Sequence, residues 1–145
     1  MSTTAQWVFE KTVYLMGEAC QSTGLADYAD TQDYKNRTLA ILNILRVECA
    51  KACDGWGLTE EGKRPVCPEI TDFESPLPLD DHICQGVLPY GLAAHLLLEE
   101  NPSVASFFQQ KYAELLYEAK RDAPAVTGAI GDPCGGIEYG KFGRW

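Results

Sequence analysis

A chain of 145 residues, 46 % hydrophobic and 23 % charged, fits one globular domain able to bury roughly two-thirds of its unfolded surface. Twelve basic against twenty-one acidic residues leave a net charge of −9. That balance excludes a DNA-wrapping or anionic-lipid-binding surface, because both need clustered Lys and Arg, but not a wall that nucleic acid slides past without sticking.

The N-terminal MSTTAQWVFEKTVYL has no basic stretch followed by an apolar core, so no signal peptide is expected. No apolar run reaches transmembrane length, and the cytoplasm is the default compartment. Cys20, Cys49, Cys53, Cys67, Cys84 and Cys134 are therefore expected as free thiols rather than as disulfides.

A first helix is predicted from about Thr4 to Cys20, ended by Gln21-Ser22-Thr23-Gly24. An acidic link, Asp27–Asp33, follows, in which Asp30 or Thr31 can cap the next helix. Its carboxylates suit capping better than Ca²⁺, because the spacing is not that of an EF-hand loop. The second helix, from Thr31 or Asp33 to Ala52, places Thr38, Leu42, Leu45, Cys49 and Ala52 on one face. Asn43 in its middle either faces solvent or bonds a neighbouring segment.

From Asp54 to Leu79, glycines and prolines interrupt any helix over a length that is uncommon inside a compact domain unless it serves a function. Arg64–Phe73 is expected as a short strand or an extended run anchored by Val66, Ile70 and Phe73. Asp80 or Asp81 then caps a third helix that is apolar on two stripes. One stripe is Ile83, Val87, Tyr90, Ala94, Leu97 and Leu98; the other is Leu88, Leu92 and Leu96. Pro89 should kink this helix without breaking it.

Glu100-Asn101-Pro102 marks the next boundary, with Asn101 as N-cap and Pro102 at the first helical position. The fourth helix, to Arg121, turns Val104, Phe108, Tyr112, Leu115 and Ala119 inward. The fold expected is all-α: a small antiparallel bundle of about four helices over residues 1–123, with a long Pro/Gly-rich connector at 54–79. Residues 124–145 are expected as an extended Gly-rich tail whose Ile137, Tyr139, Phe142 and Trp145 suit docking on a partner.

The chain carries no recognisable catalytic motif. GxSxG, HExxH, the phosphate loop and the dinucleotide fingerprint are all missing, and His82 and His95 lie near no nucleophile. No enzyme and no cofactor are expected. Cys49 and Cys53, one turn apart, could offer two thiolates to a metal, with Cys67 and then Cys84 or His82 completing a tetrahedral set. Buried thiols acting as small hydrophobes account for the same pattern, and no metal site is expected.

Two blocks carry a resemblance. The first is Asp30-Thr31-Gln32-Asp33-Tyr34-Lys35-Asn36-Arg37 with Ile41-Leu42-Asn43-Ile44-Leu45. The second joins Leu79-Asp80-Asp81, the run VLPYGLAAHLLL over Val87–Leu98, Glu99-Glu100-Asn101-Pro102, and FFQQKYAELL over Phe107–Leu116. Together they resemble the tailed-phage (prophage) head–tail connector, or adaptor, proteins. The connector at 54–79 and the Gly-rich tail lie outside that resemblance.

The resemblance implies a structural virion protein at the head–tail junction, made in the bacterial host cytoplasm. Such a protein assembles as a ring on the portal protein and extends the DNA channel without sequence-specific binding. It also docks a downstream head-closure or tail protein. On that reading one apolar stripe of the third helix builds the monomer. Leu88, Leu92 and Leu96 then join it to the next copy, so Leu92→Asp should block assembly and spare the fold. The alternative is a small cytoplasmic regulatory or metal-sensing module using Cys49, Cys53 and Cys67.

Overall fold

The computed structural model describes residues 2–122, over which the chain is all-α. Helix α1 spans Ala5–Met16 and starts on Thr4, whose hydroxyl accepts the Trp7 N–H at 3.2 Å. Ala5, Val8, Phe9, Thr12 and Val13 form its buried face. It ends short of Cys20 because Gly17 takes a left-handed φ of 75° and Glu18 N–H reaches back to the Val13 carbonyl at 3.2 Å. That pair of features is a Schellman stop, which glycine adopts without the cost of a Cβ.

Helix α2, Gln32–Ala50, buries Tyr34, Thr38, Leu42, Leu45 and Cys49, which is the period expected of an amphipathic helix. A single 3₁₀ turn at Ala29–Thr31 leads into it. Thr31 does not cap it, since its hydroxyl donates to the Ala26 carbonyl at 2.7 Å. In the acidic link, Asp27 accepts from Lys35, Gln32 and Gln6, and the bond from Lys35 holds its carboxyl below the usual value.

The expected single kinked helix is two helices, α3 (Asp81–Gly86) and α4 (Leu88–Leu96), meeting at Val87. Pro89 has no N–H for the Gln85 carbonyl, so the ladder is cut there. Val87 keeps a right-handed conformation (φ −114°, ψ −50°) and passes the chain on without a loop. Asn101 caps α5 (Pro102–Arg121) by accepting the Val104 N–H at 3.3 Å.

Helix α4 lies at the centre, packed by α1, α2, α3 and α5. Most of both apolar stripes is therefore used inside one chain, with Leu98 left 59 % exposed. Leu88, Leu92 and Leu96 are each 0 % exposed, which corrects their assignment as a face shared with another copy. With α1, α2 and α5 packed around this stripe, it is not left for a partner. Gly91 permits the closest approach: a Cβ there would sit 2.8 Å from the Tyr112 ring and 3.1 Å from Leu45.

The connector at 54–79 forms no strand, and its later half is tied to the domain. Asn43 supplies what a neighbouring strand would: its Nδ2 donates to the Ile70 carbonyl and its Oδ1 accepts the Ile70 N–H, both at 2.8 Å. Arg46 donates to that same Oδ1 at 2.9 Å and to the Cys67 carbonyl at 2.7 Å. Phe73 meets the Phe9 ring edge-on at 6.3 Å, and Leu77 N–H donates to the Thr3 carbonyl at 2.8 Å. Ile70 and Phe73 thus serve as anchors. Val66, expected as a third, is 89 % exposed, because the clamps begin only at Cys67.

Candidate functional site

Three regions hold the side chains that the fold leaves available. The first is the outside of α5. Its buried line is Ala105, Phe108, Tyr112 and Leu116. At 100° per residue, Val104 and Phe107 fall on one flank of that line, while Ser106, Gln109, Gln110 and Ala113 fall on the other. Phe107 is 62 % exposed and rests edge-on against Phe108 at 5.6 Å. The opposite flank borders a groove of about 510 Å³ between α4 and α5, whose apolar walls are Ala94, Leu98, Ala105 and Ala113. The chain therefore presents an aromatic knob on one flank of α5 and an apolar groove on the other.

The second region is the set of thiols. Cys49 is buried, shares a 3.4 Å contact with the Tyr112 hydroxyl, and is pushed up to about 11 by its burial. Cys84 is likewise pushed up to about 12 by burial. Cys53 donates to the Cys49 carbonyl and accepts the Asp80 N–H, while Cys67 donates to the Pro78 carbonyl. Among the described residues Cys49, Cys53 and Cys67 are not brought together as a ligand set. Their spacing reflects the core face of α2 and the seating of the connector end.

Cys20 differs. It stands in the turn after α1 with its sulfur 3.2 Å from the Ser22 hydroxyl, and hydrogen bonds from Ser22 and then Thr23 lower it to about 7. The thiolate is the nucleophile, so alkylation should accelerate as the pH rises through about 7. We expect iodoacetamide to modify Cys20 in the native protein at neutral pH and to reach Cys49 and Cys84 only on unfolding. Peptide mass mapping checks this; equal labelling of Cys20 and Cys84 in native protein would contradict it.

The third region lies where the connector begins and ends. Asp54, Asp80 and His82 each bring a ligand atom within 4.8 Å of the others. His82 is a possible ligand from residue type alone, whereas nothing in the linear order marks Asp54 and Asp80 as its neighbours. His82 and His95 are both exposed, and the His95–Glu99 pair that the spacing allows does not form. Among the described residues the hydroxyl–carboxylate contacts include Ser75 on Asp72 at 2.6 Å, Thr3 on Asp81 at 2.8 Å and Tyr34 on Glu100 at 2.5 Å, and neither histidine bonds a Ser, Thr or Cys side chain.

Ile137, Tyr139, Phe142 and Trp145, expected to dock on a partner, lie outside the described residues, as does Cys134. Among the described residues no helix is long and apolar enough to cross a membrane. No protein-family model, curated protein or solved structure matches the chain.

Proposed function

We propose that this protein is a head–tail connector of a tailed phage or prophage, a non-catalytic virion component. It forms a ring on the portal, extends the DNA channel and offers a platform to a head-closure or tail protein. The reading takes the helices as a small antiparallel bundle and the Gly-rich tail, with Ile137, Tyr139, Phe142 and Trp145, as a docking arm. The supporting observation is the pair of unlike surfaces on the two flanks of α5. A ring closes by heterologous contacts, each subunit giving one patch and receiving on a different one. The exposed Phe107 and the groove walled by Ala94, Leu98, Ala105 and Ala113 make such a pair. The net charge of −9 agrees with a channel wall that repels phosphate.

The test is to mix the purified chain with its portal and image the product by electron microscopy. Wild type should give a ring-on-ring particle. Phe107→Asp, on an exposed side chain, should leave the helical circular dichroism spectrum within a few per cent of wild type and abolish the ring. Free monomers beside a competent portal would sink the reading. A full ring from the Phe107 variant would remove the knob from it. The alternative of a small regulatory or metal-sensing module foresees no particle with portal at all.

A further inference from the structure

The two ends of the connector meet. Asp54 follows directly on the turn that ends α2, while Asp80 and His82 stand at the start of α3, and the Asp54 N–H donates to an Asp80 carboxylate oxygen across a sequence separation of 26. Their ligand atoms lie within 4.8 Å of one another, so that side-chain rotation alone brings them to the closer spacing of ligands on one ion. Beside them is a pocket of about 230 Å³, walled by Asp54 and Asp80 and also by Cys53 and Cys67. Asp80 is the N-cap residue of α3, yet its side chain makes no capping bond. It faces the other end of the connector instead. The adjacent Asp81 is spent on Thr3, whose hydroxyl donates to it at 2.8 Å.

We infer that Asp54, Asp80 and His82 bind a borderline divalent cation of the zinc class, which fastens the start of the connector to its end. The donor chemistry selects the ion. Calcium and magnesium want six or more oxygens, whereas two carboxylates with one imidazole suit zinc, which binds three protein ligands and leaves a fourth position to water. Asp54 and Asp80 also line the pocket that holds Cys53 and Cys67. The Asp54 N–H fixes one oxygen of the Asp80 carboxylate and leaves the other for the ion, the orienting role of an outer-shell bond. The ion also offsets the repulsion between two carboxylates held close together. The site is independent of the connector reading, and either can fail alone.

The experiment uses the full chain, stripped with chelator and titrated with ZnCl₂ by calorimetry, with CaCl₂ as control. The expected result is one zinc per chain at micromolar or tighter affinity, no calcium heat, and a melting temperature that rises with zinc because the ion binds only the folded state. His82→Ala, on an exposed side chain, should weaken zinc by more than about tenfold with an unchanged circular dichroism spectrum. Asp54→Asn, which keeps the backbone bond to Asp80, should do the same and serves if the first variant is misfolded. Cobalt substitution reads the donors: an oxygen–nitrogen spectrum agrees with the assignment. No stoichiometric zinc would overturn the proposal. So would zinc binding that survives both variants but is lost in Cys53→Ser or Cys67→Ser.

Discussion

Leu92→Asp is expected to unfold the domain. Leu92 is 0 % exposed on the central helix, in the same cluster as Phe9, Leu42, Leu45, Ile83 and Tyr112. An aspartate there loses the packing of a buried leucine and must either bury an unpaired charge or carry a proton, a class of change that costs about 4 kcal/mol or more. That loss rivals the whole stability of a small domain, about 5–15 kcal/mol. Circular dichroism and a thermal melt decide it: the variant should show no cooperative transition above room temperature. A native-like melt combined with loss of self-association would restore Leu92 to an interface between copies. Phe107→Asp is the contrasting change, since its side chain is already largely in water.

The second large effect is expected at Asn43. Its amide meets both the N–H and the carbonyl of Ile70, and it also takes the Arg46 guanidinium. Asn43→Ala leaves the Ile70 backbone, seated beside a side chain that is 5 % exposed, without either partner. Each such orphaned group costs about 1–3 kcal/mol, so a loss of about 2–3 kcal/mol overall is expected, allowing for some rehydration. The damage should be local first. Hydrogen exchange at Ile70 and proteolysis within residues 54–79 should accelerate while α4 and α5 keep their protection. Asn43→Asp should also destabilise, because it keeps the acceptor for Ile70 N–H and sets a second oxygen against the Ile70 carbonyl. Unchanged exchange at Ile70 in both variants would show that Arg46 and the aromatic contact of Phe73 suffice to hold the connector.

These two positions mark what could and could not be read along the chain. Local chemistry determined the helices. Thr4 and Asn101 are side chains whose oxygens reach an N–H one turn ahead, so the starts of α1 and α5 follow from residue type alone. The buried face of α2 follows from the 3.6-residue period. The thiol of Cys49 is legible as a buried hydrophobe on the same ground. The sequence also placed Pro89 at a bend, though whether the ladder survives depends on the Gln85 carbonyl and on what packs beside it.

Tertiary structure decided everything that concerns faces. Two apolar stripes on one short helix are equally consistent with three neighbours in one chain and with neighbours in two chains. Only the arrangement of α1, α2 and α5 around α4 assigns Leu88, Leu92 and Leu96 to the monomer. Asn43 was open for a similar reason: a polar side chain in mid-helix gives no hint of a partner 27 residues away. The juxtaposition of Asp54 with Asp80 and His82 is longer in range than any periodicity. It exists because Asn43 and Arg46 bring the later connector back along α2, and Thr3 holds Leu77 and Asp81 beside α1. Side-chain period and capping are local properties that residue order specifies, whereas contacts between distant segments depend on the packing of the whole chain.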